Sequence, residues 1–309
     1  PRNERLIALV DSPLFITQPD LIEPHHTDFR VRIQPKFGVT YGVCRMPGED
    51  IRVPVLAYTP NEASADHGNR GRVTVWSSDP RIGTRYITPY PDFVGGTVNI
   101  GLGDVDGDGC SELVTAAGEG GGPRIQIHNL LSGAKMFDWF AFEDGFRGGA
   151  TVALGDFDND DRAELVIGAG HGGGPRVSVY RIHWNGWLER WSNFFAYDPN
   201  MRTGVRVGIA REGWRSVLVT ATGRGEAVHV RTLIPRRGDV QPESRLSFYA
   251  FGLPGSHREP TGLFLWTGLG SWETGITNFV VGRPTGGGRW QTQEITPSGG
   301  FLAVQYWQE

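Results

Sequence analysis

The sequence predicts an all-β fold built from repeated four-stranded units, and three observations lead to that prediction. Residues 101–127 recur fifty-two positions later as residues 153–179, with 15 of the 27 positions identical. The short runs around the shared residues are rich in β-branched or small apolar residues and end in glycine, which is typical of strands. Gly 45 and Pro 20 are spread along the chain, which indicates many turns rather than one disordered tract.

A fixed period of this size indicates a closed array or a solenoid, and four strands per unit favour blades around an axis. We therefore expect one domain over residues 1–309, a β-propeller of about five four-stranded blades, with six as the alternative. One blade cannot bury both of its faces, so the ring must close. We expect pairing of N- and C-terminal strands to close it, with residues 1–27 as closing strands. The repeat units are 28–90, 96–142, 150–197, 204–251 and 261–309.

The first unit is a degenerate copy of the repeat. Its predicted strands at 53–58 and 72–75 stand fifty-two residues before their counterparts in the next unit. The segment 45–50 replaces the acidic stretch found in the next two units and cannot supply three alternating carboxylates. We expect no ion there.

The second and third units are intact copies. Strands are predicted at 98–102 and 113–117, and each unit has a Gly-Gly-Gly-Pro-Arg turn. No helix is predicted to begin at these turns, so they are not phosphate-binding loops. Glycine at these positions allows a positive φ. Each unit ends in an aromatic strand, at 139–142 and 194–197, which we interpret as apolar filling between neighbouring sheets rather than as a sugar-stacking platform.

The last two units have lost the acidic stretch. The fourth keeps a strand at 217–221, but residues 211–214 place an arginine at the first ligand position, which excludes Ca²⁺. The fifth is non-acidic at 269–278 and ends in a predicted strand at 301–307.

The intact units each carry aspartates at alternating positions of a short loop. Positions 1, 3, 5 and 9 supply carboxylates, and position 7 can supply a backbone carbonyl. Ca²⁺ takes about 6–8 oxygen ligands, whereas Mg²⁺ keeps more water. Without a cation, these carboxylates would repel one another. The predicted ligands of two Ca²⁺ sites are Asp104, Asp106, Asp108, Cys110 (backbone carbonyl) and Glu112, and Asp156, Asp158, Asp160, Arg162 (backbone carbonyl) and Glu164.

The two loops, each followed by the Gly-Gly-Gly-Pro-Arg turn, resemble FG-GAP/VCBS repeats over residues 96–200, and the resemblance is weak elsewhere. The resemblance implies an integrin-type β-propeller with Ca²⁺ in the loop that joins the first two strands of a blade. It also implies a structural role for the ions, remote from any ligand.

Composition excludes several classes of function. The formal net charge is −4 and no basic stripe is present, so a nucleic-acid partner is not expected. No apolar run approaches twenty residues, so no transmembrane segment is expected. The N-terminus does not resemble a signal peptide: a leader was removed, or none existed.

Cys44 and Cys110 give no disulfide framework. We expect free thiols, with a single bridge as the open alternative.

No catalytic motif is found, so we expect a binding and adhesion module rather than an enzyme. Its partner would be a glycan or protein ligand, and its location extracellular or at the cell surface. One alternative is a virion or surface structural protein, such as a phage spike, tail or decoration component within a larger assembly. Another is an enzyme resembling polysaccharide lyases. Tryptophans can stack on sugars, and the candidates here are Trp184, Trp187 and Trp191, with the last two predicted on the same side of a strand.

Overall fold

All regular secondary structure in the described part of the chain is β-strand. The computed structural model describes residues 14–16, 29–31, 39–46, 48, 52–59, 71–93, 96–183, 185–213, 215–223, 227–250, 264–271, 276–286, 289–295 and 301–308. The all-β prediction is confirmed over these residues. Among them, no helix is long and apolar enough to cross a membrane.

Strands that follow one another in the chain pair antiparallel in four-stranded sheets. The first sheet consists of β3 (Val39–Arg45), β4 (Arg52–Tyr58), β5 (Val73–Ser77) and β6 (Thr84–Ile87). The second consists of β7 (Val98–Gly103), β8 (Glu112–Ala117), β9 (Arg124–His128) and β10 (Lys135–Phe140). The third consists of β11 (Ala150–Gly155), β12 (Glu164–Ala169), β13 (Arg176–Ile182) and β14 (Leu188–Phe195).

The fourth sheet follows the same order and is joined to later strands at one point. It consists of β15 (Val205–Glu212), β16 (Arg215–Thr222), β17 (His229–Ile234) and β18 (Glu243–Tyr249). A single residue pair, Arg211 and Thr277, joins β15 to β20. The later strands, which also pair in sequence order, are β19 (Phe264–Ser271), β20 (Ile276–Gly286), β21 (Arg289–Ile295) and β22 (Phe301–Gln308).

The sheets are consistent with the blades of a propeller. The predicted strands at 98–102 and 113–117 are confirmed as β7 and β8. At the ends of the chain, β1 (Leu14–Ile16) pairs with β2 (Phe29–Val31), and β22 pairs with β21. Among the described residues no pair joins the N-terminal strands to the C-terminal ones. The closing pairing and the number of blades remain predictions.

The apolar core lies between successive sheets. One cluster joins the first and second sheets and includes Val55 and Leu113. Another cluster lies between the second and third sheets and includes Ile125 and Ile167. The cluster between the third and fourth sheets includes Leu218. Each sheet therefore buries its faces against its neighbours in chain order.

The first strands of neighbouring sheets approach closely because glycine lies at the contact. A Cβ atom on Gly101 of β7 would stand 2.5 Å from Leu154 Cδ1 of β11. A Cβ atom on Gly155 of β11 would stand 2.8 Å from Ile209 Cγ2 of β15. Since real Cβ contacts are longer than this, a side chain at either glycine would require the Leu154 or Ile209 side chain to move aside.

The glycine-rich turns behave as the sequence predicts. Gly120 and Gly172 occupy equivalent positions and have φ of 90° and 83°, which disfavours residues with a Cβ atom. The aromatic strand ends follow the interpretation only in part. Phe142 is buried and Phe140 is 48% exposed. Phe194 is buried, whereas Phe195 beside it in β14 is 37% exposed, because successive side chains of a strand point to opposite faces.

Candidate metal sites

The first acidic loop (residues 104–112) runs from the end of β7 into β8 and is organised by Asp104. The Asp104 carboxylate accepts hydrogen bonds from the backbone N–H groups of Gly107, at 2.7 Å, and Gly109, at 2.9 Å. Both glycines have positive φ, 82° and 88°. This left-handed backbone is easily adopted by glycine, and it allows the loop to fold back over Asp104.

The second acidic loop (residues 156–164) has the same backbone geometry with different residues. The Asp156 carboxylate accepts hydrogen bonds from the N–H groups of Asn159, at 2.6 Å, and Asp161, at 3.1 Å. Asn159 and Asp161 have φ of 61° and 66° and stand where the first loop has glycines. Asn and Asp are among the residues that tolerate this conformation best. The two loops are thus equivalent position by position.

Each loop ends in a buried glutamate at the first residue of the following strand. Glu112 Oε2 accepts a hydrogen bond from the Val105 N–H at 3.0 Å, and Glu164 Oε2 accepts one from the Phe157 N–H at 2.9 Å. Both glutamate side chains are fully buried. The glutamates therefore hold the two ends of each loop together from inside.

Three carboxylates in each loop gather around one point. In the first loop, oxygens of Asp104, Asp106 and Asp108 all lie within 4.8 Å of one another. In the second loop, the same is true of Asp156, Asp158 and Glu164. These clusters could hold metal ions.

Other predicted ligands stand at the edges of these clusters. Asp108 accepts a hydrogen bond from the Cys110 N–H at 2.7 Å, and Asp160 accepts one from the Arg162 N–H at 3.0 Å. Glu112 lies close enough to the aspartates of its loop for their charges to raise its pKa. The assignment of all ten groups as ligands, including the two backbone carbonyls, remains a prediction.

Burial raises the pKa of carboxylates in both loops. For Glu112 the pKa rises to about 9, first because of desolvation and then because of the charges of the neighbouring aspartates. Desolvation likewise raises the pKa of Asp104 and of Asp106. In the second loop the pKa of Glu164 rises only to about 7, because Arg181 partly offsets its desolvation. The ionised forms of both glutamates are therefore less favourable in the ion-free loops than in water.

A guanidinium group distinguishes the second loop from the first. Arg181, on β13, donates from Nε to Glu164 Oε1 at 3.1 Å and from Nη2 to the same oxygen at 3.0 Å, and it forms an ion pair with Asp158. Asn129 stands fifty-two residues earlier and donates from Nδ2 to Glu112 Oε1 at 3.3 Å. The same repeat position thus supplies a cation to one loop and a neutral amide to the other.

The donor set fits a hard divalent cation. Every candidate side chain offers oxygen, and carboxylate oxygen is the ligand that Ca²⁺ and Mg²⁺ take in proteins. The clustered groups carry formal negative charge that a divalent ion would neutralise. The chemistry of both loops therefore agrees with the expectation of a divalent cation such as Ca²⁺.

The cysteines correct the free-thiol expectation, because Cys44 and Cys110 form a disulfide. The end of β3 runs beside the first acidic loop, where the Arg45 N–H donates to Gly109 O at 2.7 Å and the Ser111 N–H donates to Val43 O at 2.9 Å. This pairing brings together two cysteines that lie 66 residues apart. The bridge therefore ties the first sheet to the first acidic loop.

The loops of the other units differ in structure. In the fourth sheet, β15 and β16 pair up to Glu212 and Arg215, and Gly213 has a φ of 64°, so a tight turn stands where the acidic loop would be. Much of the segments 45–50 and 269–278 lies outside the described residues. The expected lack of ions in these units remains a prediction.

The tryptophan candidates do not form one surface. Trp187 is 59% exposed and stacks on His183 with ring centroids 5.0 Å apart. Trp191 is only 8% exposed and lies in the core between the third and fourth sheets. The two side chains therefore have different surroundings, and their same-side arrangement remains a prediction. Trp184 lies outside the described residues, and a ligand-binding role remains a prediction.

Sequence reasoning missed Arg181 and Asn129, and it left the disulfide as an open alternative to free thiols. Aligning the repeats by their period does place Arg181 opposite Asn129, but only the pairing of β12 with β13 brings position 181 to Glu164. Two cysteines in different repeats give no signal of their own, because their contact depends on how neighbouring sheets pack.

The comparisons with known proteins bear on the third unit. No curated protein matches the chain. The family model described as FG-GAP repeat matches residues 148–180, which cover β11, the second acidic loop, β12 and most of β13. We conclude that residues 148–180 of this chain are an FG-GAP repeat.

Proposed function

We propose that this chain is a calcium-stabilised β-propeller that acts as a binding and adhesion module. The observation that carries the proposal is that two loops of adjacent sheets share one backbone geometry and each gathers three carboxylates within 4.8 Å. FG-GAP domains are typically binding modules, and one repeat lies at the second loop.

The chain's own residues would act on a bound ion in two ways. Asp104 and Asp156 fix the loop backbone through paired N–H hydrogen bonds, so the loop backbone needs little rearrangement to bind. Glu112 and Glu164 supply buried charge that is unfavourable without a cation. Because the loops form only in the folded chain, binding would stabilise the fold by mass action.

The proposed architecture is a ring of five blades, with six as the alternative. Four-stranded sheets in chain order support it, as do the contacts between the first strands of successive sheets. The strands β19 to β22 would form the fifth blade, and residues 1–27 would close the ring. Closure would leave the connecting loops on two rims, available to a partner.

The proposed partner is a glycan or a protein, and the proposed activity is binding rather than catalysis. The described carboxylates with the most strongly raised pKa, those of Glu112 and Glu164, lie in the acidic loops, where a cation would keep them ionised and unsuited to proton transfer. Trp187 is the exposed aromatic candidate for a sugar contact. Neither nucleic acid nor membrane insertion is part of the proposal.

The disulfide supports a secreted or extracellular location. Disulfides persist in oxidising environments and are rare in the cytosol. The bridge between Cys44 and Cys110 therefore agrees with a chain that works outside the cell or at its surface. Assembly into a virion or another surface structure remains the alternative.

The test is thermal unfolding with and without calcium. We expect excess EDTA to lower the melting temperature and CaCl₂ to restore it. Asp104→Ala and Asp156→Ala together should abolish the calcium-dependent rise. Asp239→Ala is a matched control, since Asp239 is exposed and far along the chain from both loops. A melting temperature that is the same in EDTA and in calcium would contradict the proposal.

A further inference from the structure

We infer that Arg181 acts as a built-in counterion of the second acidic loop, so that the two loops bind calcium with unequal affinity, the first more tightly than the second. The inference rests on the proposed calcium sites and concerns this chain's own residues. It makes the second loop stable without an ion and the first loop dependent on one.

The first step is the place that the guanidinium occupies. Arg181 contacts Asp158 and Glu164, which are two of the three carboxylates of the second cluster. Its side chain is 19% exposed and that of Glu164 is fully buried. A cation entering this cluster must share these oxygens with the guanidinium or displace it.

The second step is that packing holds Arg181 in this place. Its guanidinium carbon stands 5.5 Å from the centre of the buried Trp191 ring, at a distance where a cation is attracted to the ring face. Arg181 therefore lies between an aromatic side chain and the acidic cluster, and displacing it would cost both contacts.

The third step is that the first loop has a neutral amide at the repeat position that Arg181 occupies in the second. Asn129, at the equivalent position, gives Glu112 one neutral hydrogen bond at 3.3 Å. Arg162 of the second loop passes over Gly107, and its charge offsets part of the rise that desolvation causes in the pKa of Asp106. The described contacts include no hydrogen bond from the Arg162 side chain to a carboxylate of the first loop. Among the described contacts, the first cluster therefore has a guanidinium nearby, that of Arg162, but no ion pair like those that Arg181 forms with Asp158 and Glu164.

The size of the effect follows from Coulomb's law. A unit positive charge a few ångströms from a divalent cation in a water-exposed loop weakens binding by about tenfold, and by more where the site is screened from water. Replacing Arg181 should remove this penalty at the second loop. Placing an arginine at position 129 should introduce it at the first.

The experiment is calorimetric titration of EDTA-stripped protein with CaCl₂, one loop at a time. Asp104→Ala isolates the second loop, and Asp156→Ala isolates the first. On the Asp104→Ala background, Arg181→Asn should tighten calcium binding about tenfold, whereas Arg181→Lys should change it less. On the Asp156→Ala background, Asn129→Arg should weaken binding about tenfold. Arg190→Asn is the matched control, because Arg190 lies in the same sheet and pairs with the exposed Asp239. This variant should leave the calcium affinity unchanged.

A second readout is unfolding in EDTA. Arg181→Asn should lower the melting temperature of the ion-free protein, because Asp158 and Glu164 lose their counterion, and calcium should then raise that temperature by more than it does in the wild type. If Arg181→Asn does not fold in EDTA but folds in calcium, the inference is also supported. If Arg181→Asn folds neither in EDTA nor in calcium, the calcium affinity of Asn129→Arg on the Asp156→Ala background tests the inference.

The outcomes separate the two proposals. Absence of calcium binding at both loops of the wild type would overturn the proposed function. Binding at both loops that neither Arg181→Asn nor Asn129→Arg alters would leave the proposed function intact and overturn the counterion role. Weaker calcium binding after Arg181→Asn would also overturn it.

Discussion

At the scale of single residues, the buried glutamates show why the loops need a cation. Glu112 is fully enclosed and receives one backbone N–H and one amide, from Val105 and Asn129. Neither group carries a charge, and the aspartates nearby are anionic. The side chain is therefore more stable protonated in the ion-free protein, and its pKa rises to about 9.

This shift predicts a pH dependence with a definite sign. Because the pKa of Glu112 is raised from 4.5 to about 9 on folding, the folded state binds the proton more tightly than the unfolded state does. The stabilisation is full below about pH 4.5 and is lost as the pH rises through about 9. In EDTA we expect the melting temperature to fall by several degrees between pH 5 and 9.

Glu112→Gln keeps the hydrogen-bonding shape without the ionisation, so it should flatten this pH dependence. Glu143→Gln, on a side chain that is 78% exposed, should leave it unchanged. Thermal melts across the pH range provide the measurement. A profile for Glu112→Gln as steep as that of the wild type would show that another group causes the dependence.

At the scale of elements, residues that follow the fourth strand of a sheet reach into the next sheet. Tyr197, which follows β14, donates from its hydroxyl to His229 O of β17 at 2.7 Å and lies 3.1 Å from Thr220 Oγ1 of β16. Tyr90, which follows β6, donates to Thr115 O of β8 at 2.9 Å. Backbone carbonyls of neighbouring sheets are thus satisfied by side chains as well as by strand pairing.

Removing such a hydroxyl should weaken the contact between two sheets. We predict that Tyr197→Phe lowers the free energy of unfolding by about 1–2 kcal/mol, because a buried carbonyl loses its donor. Urea denaturation measures the change. Tyr249→Phe is the control, since Tyr249 is 40% exposed and should lose little. Equal losses of unfolding free energy for the two variants would show that the hydrogen bond from Tyr197 to the next sheet does not stabilise the fold.

At the scale of the whole molecule, the disulfide and the first acidic loop act on the same contact between the first two sheets. The bridge joins residues 66 positions apart, and a long closed loop restricts the unfolded chain most. We predict that Cys44→Ala with Cys110→Ala lowers the free energy of unfolding by about 2–4 kcal/mol. Denaturation with and without a reducing agent measures this.

The control for that prediction is the reducing agent itself. It should destabilise the wild type and leave the double variant unchanged. If the wild type is as stable reduced as oxidised, the bridge makes no contribution to the fold.

Much of the local structure could be predicted because it depends on neighbours in the chain. The strands β7 and β8 follow from short β-branched runs ending in glycine, and the turns at Gly120 and Gly172 follow from a need for positive φ. The acidic loops follow from aspartates at alternating positions. The aromatic strand ends were predicted only in part, because the pleat turns Phe194 inward and the next residue, Phe195, outward.

What the sequence alone determined is the all-β class, the period of the repeat and the two acidic loops, since each depends on the order of residues within about fifty positions. What only the tertiary structure decided is which distant groups meet: Cys44 with Cys110, Arg181 with Glu164, and Trp191 with the core rather than with solvent. Such contacts depend on strand register and on the angle at which sheets pack. A change of one residue in register would turn each of these side chains to the opposite face.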